Sequence, residues 1–191
     1  MEVDPDAELM LRLKNGEVRI LNELMSRWQQ PHVAFIYRYI GHETEALDLA
    51  QETFVRVYET RHRYTVRARF STWLFAIAGN LCRNYLRWRR RHGESVLGSW
   101  DTENVELGEL IRSPDDSPDE AIIRSESIGI IKEATGKLPH DWKVVILLHE
   151  YERLSYEEIS SVLGCSVKAV EMKLYRARKF LREKLLHSDV R

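Results

Sequence analysis

The sequence predicts an all-α protein in which two small helical domains are joined by a flexible acidic linker. Glycine and proline are few, at 9 and 5 of 191 residues, which favours helices over a turn-rich β fold. Apolar residues make up 43% of the chain, enough for packed cores, and they recur at helical spacing along most of it. One central segment lacks this periodicity, so it predicts a connection between two separately packed units.

Three helical stretches are predicted before residue 61. Residues 6–14 give a short amphipathic helix, and residues 17–40 fit either one helix bent at Pro31 or two helices. Residues 43–60 give the next helix, with an apolar stripe and an acidic first half. The acids of that first half are Glu43, Glu45, Asp48 and Glu52.

A basic loop at 61–69 precedes a long helix that runs from 70 to about 91 and has two different faces. Ser71 or Thr72 could cap this helix. One face is apolar and suited to packing: Phe70, Trp73, Leu74, Ile77, Leu81 and Trp88. The other presents amides and guanidinium groups in a row: Asn80, Arg83, Asn84, Arg87 and Arg91.

The C-terminal part carries the pattern of a helix-turn-helix. Residues 93–118 predict the linker, and helices are predicted at 119–137 and 140–152. A short helix to residue 163, capped by Ser155, is followed by a three-residue turn and a long basic helix over 167–186. Six side chains, together with 144–148, predict its small core: Ile159, Val162, Leu163, Val167, Val170 and Leu174.

The second helix of such a motif enters the major groove of DNA, with its N-terminal side chains at the base edges. This pattern alone leaves open a solvated basic helix that merely covers an all-α domain.

Charge is segregated along the chain, although the net charge is only −1. Residues 56–92 hold ten arginines and one acid, and residues 168–184 hold seven bases and two acids. Between them, residues 93–120 hold nine acids and one base. Blocks of one sign indicate partners better than the total does, and the two basic blocks favour nucleic acid.

Enzyme chemistry is not expected. The seven histidines are scattered, the two cysteines are far apart, and no nucleophile, metal or phosphate-loop pattern is present. We therefore predict no catalytic residue, no metal and no cofactor.

The acidic N-terminus does not resemble a signal peptide, and no apolar run approaches a membrane span, so a cytoplasmic protein without membrane insertion of its own is expected.

Two stretches together closely resemble the extracytoplasmic-function (ECF) group of bacterial sigma-70-type RNA polymerase sigma factors. They are DLAQETFVRVYE with FSTWLFAIAGNLCRNYLRWRRR (48–59 and 70–91), and LPHDWKVVILLHEYERLSYEEISSVLGCSVKAVEMKLYRARKFLREKL (138–185). The resemblance implies a sigma region 2 domain at 1–92, an acidic linker at 93–120 and a region 4 domain at 121–191.

The resemblance also implies roles for residues in region 2. The loop and helix at 61–91 would read the minus-ten promoter element and capture an unpaired base, through Tyr64, Asn80, Arg83, Asn84, Arg87, Arg90 and Arg91. Phe70 and Trp73 are expected in the core instead.

The helix at 43–59 would dock on the clamp helices of the largest subunit of core RNA polymerase, through Asp48, Gln51, Glu52 and Phe54, whereas Leu47, Ala50 and Val55 are expected in the core.

Region 4 would bind the minus-thirty-five element of promoter DNA. The residues expected at that DNA are Ser166, Lys168, Glu171, Met172, Lys173, Tyr175, Arg176, Arg178 and Lys179. Position 171 is often basic in this family, so Glu171 leaves the promoter sequence open.

The resemblance further implies a cognate anti-sigma factor. The linker is expected either to enter polymerase as a mimic of nucleic acid or to serve as a solvated spacer, and it could also shield the basic helix 70–91 in the free protein.

A stand-alone helix-turn-helix regulator is the alternative. It would need a sensing pocket or phosphoacceptor in the N-terminal half, where the sequence instead has a basic helix that contains aromatic residues.

Overall fold

The computed structural model describes residues 4–66, 69–92 and 134–188, with side chains up to residue 186. Within these ranges all regular structure is helical, as predicted. The N-terminal module contains α1 (Pro5–Lys14), α2 (Ile20–Ile40), α3 (Glu43–Thr60), a short 3-10 turn (Arg61–Arg63) and α4 (Phe70–Arg91). The C-terminal module contains α5 (His140–Ile146), a π-helical turn (Leu147–Tyr151), α6 (Tyr156–Leu163) and α7 (Val167–Ser188).

Helix α2 resolves the alternative at 17–40, because one continuous helix passes through Pro31. It ends at Gly41, whose φ of 82° is a left-handed conformation that glycine adopts without the steric cost paid by other residues. The Gly41 amide donates to the carbonyl oxygen of Tyr37, which closes the last turn.

Asp4 caps two helices at once. Its Oδ1 accepts from the backbone amide of Asp6 at 3.1 Å, at the start of α1, where Pro5 occupies the first position. Its Oδ2 accepts from the backbone amide of Phe70 at 2.8 Å, at the start of α4. The expectation that Ser71 or Thr72 caps α4 is therefore wrong: no side chain of its own segment caps that helix, and a residue 66 positions away does so.

Replacing Asp4 by alanine is expected to lower the free energy of unfolding by about 1–4 kcal/mol, because a lost helix cap costs about 0.5–2 kcal/mol and two are lost. Urea titration followed by far-UV circular dichroism measures the change. Asp4→Asn keeps one carbonyl oxygen, so it should lie between wild type and Asp4→Ala. Equal stability of all three proteins would show that the double cap contributes nothing.

The core of the N-terminal module is rich in aromatic rings. Trp28 lies edge-on to Phe70 and to Phe75, at 6.0 Å between ring centroids in each case. His32 is fully buried between Phe54 and Phe75, with centroids at 5.5 and 6.3 Å. Neither ring nitrogen of His32 finds a hydrogen-bond partner among the described residues, and burial lowers its pKa to about 3.

The C-terminal module folds as a helix-turn-helix. Ser155 and Glu158 form a reciprocal capping box at the start of α6: the Ser155 hydroxyl accepts from the Glu158 amide, and the Glu158 carboxylate accepts from the Ser155 amide. Gly164, at φ 62°, ends α6 in a left-handed conformation. The expected single helix over 140–152 is instead α5 followed by the π-helical turn, which brings residues 147–151 out of register with α5.

The buried side chains of this motif largely match the expectation. Ile159, Val162, Val170 and Leu174 are buried together with residues 144–148. Leu163 is partly buried against the same core, and Val167 has 39% of its surface exposed. The predicted linker at 93–118 and most of the predicted helix at 119–137 lie outside the described residues.

Candidate functional site

Helix α4 separates its apolar and polar side chains by face, and the polar face is accessible. Leu74, Ala78, Cys82 and Leu86, spaced four residues apart, are buried. On the polar face Arg83 is half-buried and donates to Asn80 Oδ1 at 3.3 Å, which orients that amide. The others are exposed: Asn80, Asn84, Arg87, Arg90 and Arg91. We call these six residues the amide–arginine face.

Three aromatic residues near this face have different surroundings. Phe70 is buried and Trp73 packs against the same core, as expected. Tyr64 is also buried, with 1% of its surface exposed and its ring 5.3 Å from Trp73. In this conformation the Tyr64 ring fills the core under the loop and presents no exposed surface on which a base could stack. Trp88 was expected to pack, yet it is 47% exposed and lies against His92.

Helix α7 buries Val170, Leu174 and Ala177 and turns its polar side outward. Ser166 caps this helix, since its hydroxyl accepts from the Ala169 amide at 3.2 Å. Six of the side chains expected at DNA are exposed on the outer side and are called the recognition face here: Lys168, Glu171, Met172, Tyr175, Arg176 and Lys179.

Two other bases of α7 are engaged within the protein. Arg178 Nη2 donates to Glu150 Oε1 at 2.8 Å, which ties α7 to the π-helical turn. This hydrogen bond is the main reason why the pKa of Glu150 is lowered and that of Arg178 is raised. Lys173 Nζ lies 3.8 Å from Asp141 Oδ2. Arg178, one of the residues expected at DNA, therefore has a structural partner that the sequence did not reveal.

Helix α3 exposes a different kind of surface. Leu47, Gln51 and Val55 form a stripe with four-residue spacing, and Leu47 and Val55 are 42% and 49% exposed. Asp48 is exposed beside this stripe, and Glu52 is half-buried and paired with Arg56 at 2.7 Å. We call these five residues the α3 face.

The exposed residues of α3 differ from those expected. Phe54 is only 4% exposed and contacts His32, so the expectation that it is available to a partner is wrong. The expectation that Leu47 and Val55 are core residues is also wrong, whereas Ala50 is buried as expected. The four-residue spacing of 47, 51 and 55 was visible in the sequence and could have indicated the outer stripe.

No helix in the described ranges is both long enough and apolar enough to cross a membrane. The same residues bring no three His, Cys, Asp or Glu side chains together in a way that could hold a metal ion.

Family models match both modules. Residues 24–92 match the sigma-70 region 2 family, and residues 128–181 match the sigma-70 region 4 family. The first match contains α3 and α4, and the second contains the helix-turn-helix.

Individual relatives match over almost the whole chain. The ECF RNA polymerase sigma-E factor of Haemophilus influenzae is 33% identical over 182 residues, covering 94% of this chain and 95% of the relative. The RNA polymerase sigma-H factor of Pseudomonas aeruginosa is 32% identical, covering 92% and 91%.

Two solved structures are similar to this chain. CnrH, in complex with the cytosolic domain of CnrY, aligns with a TM-score of 0.68 and 28% identity, covering 98% of this chain and 99% of that one. The sigma factor RpoE of Bartonella quintana, in complex with the anti-sigma factor NepR, shares the fold at a TM-score of 0.64 and 20% identity, covering 86% of this chain and 95% of that one. These matches favour a sigma factor over a stand-alone helix-turn-helix regulator. With both sigma regions present in order and relatives above 30% identity along nearly its full length, this chain belongs to the ECF group of sigma-70-family RNA polymerase sigma factors.

Proposed function

We propose that this sigma factor divides promoter recognition among its three exposed faces. The α3 face docks on the clamp helices of core RNA polymerase, the amide–arginine face of α4 captures a base of the minus-ten element, and the recognition face of α7 binds the minus-thirty-five duplex. The observation that carries the proposal is the separation of amides and guanidinium groups from the buried side of α4. RNA synthesis itself is the work of the polymerase.

The amide–arginine face suits a strand that has left the duplex. An amide can donate and accept at once, so Asn80 and Asn84 can pair with the edge of an unstacked base. Arg87, Arg90 and Arg91 follow at the C-terminal end of α4 and can hold consecutive phosphates, which offsets the cost of separating the strands. Tyr64 has no part in this proposal, because it is buried.

The recognition face suits duplex DNA. Lys168 and Glu171 lie in the first two turns of α7, where side chains of a recognition helix reach the base edges. A carboxylate can accept from a cytosine amino group, and Met172 can contact a thymine methyl group. Arg176 and Lys179 supply charge for phosphates, whereas Arg178 holds the π-helical turn in place.

Docking through the α3 face can be tested with Asp48→Arg. A partner that is basic and partly apolar should repel the new guanidinium, so affinity for core polymerase is expected to fall by about 10- to 100-fold. Fold stability should change by less than about 0.5 kcal/mol, because Asp48 is exposed. Fluorescence anisotropy of labelled protein with core polymerase measures the affinity.

The matched control is Glu8→Arg, which reverses an exposed acid on α1, outside the α3 face. It should bind core polymerase as wild type does. If both variants lost affinity equally, net charge would explain the effect and the α3 face would not be the docking surface.

Reconstituted transcription tests the function as a whole. Core polymerase with this protein should give run-off transcripts at defined starts from a promoter library, and the sequences recovered would identify both promoter elements. Core binding without a defined start on any template would contradict the assignment of the two DNA faces.

We also propose a cognate anti-sigma factor and a cytoplasmic site of action. The structural relative RpoE was solved in complex with the anti-sigma factor NepR, and CnrH was solved in complex with the cytosolic domain of CnrY. Co-purification of the tagged protein from its host, followed by mass spectrometry, would test for a partner that covers the α3 face and prevents core binding.

A further inference from the structure

The C-terminal end of α4 carries an exposed pair of aromatic rings, Trp88 and His92. Their ring centroids are 4.4 Å apart and their planes are inclined by 32°, so the rings are stacked with a moderate tilt. Trp88 has 47% of its surface exposed, and among the tryptophans that the structure describes it alone is exposed. The function proposed above uses neither ring.

The backbone holds the His92 ring against the indole. The His92 Nδ1 donates to the Trp88 carbonyl oxygen at 2.9 Å, and the His92 backbone amide donates to the same oxygen at 3.2 Å. The imidazole therefore supports the indole before any ligand arrives. A ring that is already ordered loses less rotamer freedom on binding, so it is suited to contribute affinity.

Trp88 extends the amide–arginine face by one helical turn. Side chains three and four residues apart are neighbours on a helix, so Trp88 lies between Asn84 and Arg91 on the surface of α4. The positions of Asn84 and Trp88 are about 6 Å apart along the helix axis. Bases stacked in a duplex are about 3.4 Å apart along one strand. The amide and the indole therefore match neighbouring bases only on a strand that is unstacked and extended.

The charges around Trp88 favour nucleic acid over protein as its partner. The segment RWRRRH at 87–92 surrounds the indole with arginines, of which Arg87 and Arg91 are exposed. An apolar protein surface would have to remove these guanidinium groups from water, which is costly. A nucleotide instead offers a π face to the indole and a phosphate to the arginines at the same time.

We propose that Trp88, supported by His92, stacks on a second unpaired base of the minus-ten region, next to the base that the amides capture. The proposal rests on the proposed function of the amide–arginine face. An amide reads the hydrogen-bonding edge of one base, whereas an indole accepts the π face of any base. The second site thus contributes affinity for the open strand with little preference for its sequence.

Abasic nucleotides in the promoter test for the stacked base. Holoenzyme reconstituted from core polymerase and this protein is titrated with forked DNA, whose non-template strand is unpaired over the minus-ten region. The promoter is one recovered by run-off transcription, and one base at a time is removed from the unpaired strand while its phosphates stay in place. For wild type, removal of the stacked base should weaken binding by about 5- to 150-fold.

Trp88→Ala should weaken binding of the intact fork by a similar factor, and removal of the stacked base should then have no further effect. This non-additivity identifies the base that the indole contacts. Trp88→Phe keeps a ring and should retain most of the affinity, whereas Trp88→Leu keeps apolar bulk without a ring and should behave as Trp88→Ala does. Leu11→Ala, at an exposed apolar position on α1, is the control and should bind the fork as wild type does.

Additive losses for Trp88→Ala and every abasic position would overturn the proposal, because the indole would then act independently of any base. Wild-type affinity in Trp88→Leu would do the same. A fall in the affinity of Trp88→Ala for core polymerase alone, measured by fluorescence anisotropy, would assign the ring to a protein contact instead.

Asn84→Ala in the same abasic scan separates this proposal from the function on which it rests. If Asn84 is coupled to one base and Trp88 to none, the second site is refuted and base capture stands. If neither residue is coupled to a base, base capture by α4 is refuted, and the second site with it.

Discussion

Replacing His32 by phenylalanine is expected to make this protein more resistant to acid than the wild type, by roughly 3 kcal/mol of unfolding free energy at pH 4.5. Burial lowers the pKa of His32 from 6.5 to about 3 in the folded protein. As the pH falls below 6.5, the unfolded chain binds a proton that the folded one excludes, so wild type loses stability down to about pH 3. Each pH unit within that window costs up to about 1.4 kcal/mol.

The comparison between the two proteins isolates His32 from other titrating groups. Burial raises the pKa of Glu152 to about 7, so protonation of Glu152 stabilises the fold as the pH falls from 7 to 4.5, the opposite direction. That effect is common to wild type and His32→Phe and cancels in their difference. Urea unfolding at pH 7.0 and 4.5 gives the difference, and His62→Gln, at an exposed position, is the control. A difference independent of pH would mean that the pKa of His32 is the same in the folded and the unfolded protein.

Asn84→Ala is expected to reduce run-off transcription about 10- to 100-fold, because an amide that pairs with a base edge contributes about 1–3 kcal/mol. Arg87→Ala should also weaken promoter binding, but through phosphate. Its effect should be similar on every promoter sequence and should lower the slope of log affinity against log salt by about 1. Transcription and filter binding across a salt series separate the two roles.

Asn22→Ala removes an exposed amide on α2, away from the amide–arginine face, and should transcribe as wild type does. Base capture by Asn84 would be wrong if Asn84→Ala changed the salt slope and left the ranking of minus-ten sequences intact. In that case the residue would act on the backbone.

The local pattern of residues was sufficient to predict most helices of this fold. The helical spacing of apolar residues predicted α3 and α4 at the bounds observed, and Ser155 was the predicted cap at the start of α6. The spacing of Asn80, Arg83, Asn84 and Arg87 placed them on one face, because that spacing is a geometric property of the α-helix. A feature that depends on residues three or four positions apart can therefore be predicted from the local sequence.

Features that depend on distant contacts were missed. The second cap of Asp4 joins positions 4 and 70, and the partner of Arg178 is 28 residues away at Glu150. Phe54 and Val55 are adjacent apolar residues on α3, and packing against α2 and α4 places Phe54 inside and Val55 outside.

The double cap by Asp4 bears on where the N-terminal module can be cut. The match to sigma-70 region 2 begins at residue 24, yet Leu9, Met10 and Leu13 of α1 are core residues, and Asp4 holds the first amide of α4. A fragment that started at residue 24 would expose that core and leave α4 frayed at its first turn. The smallest excised module that keeps α4 in shape therefore begins no later than Asp4, twenty residues before the boundary that family resemblance suggests.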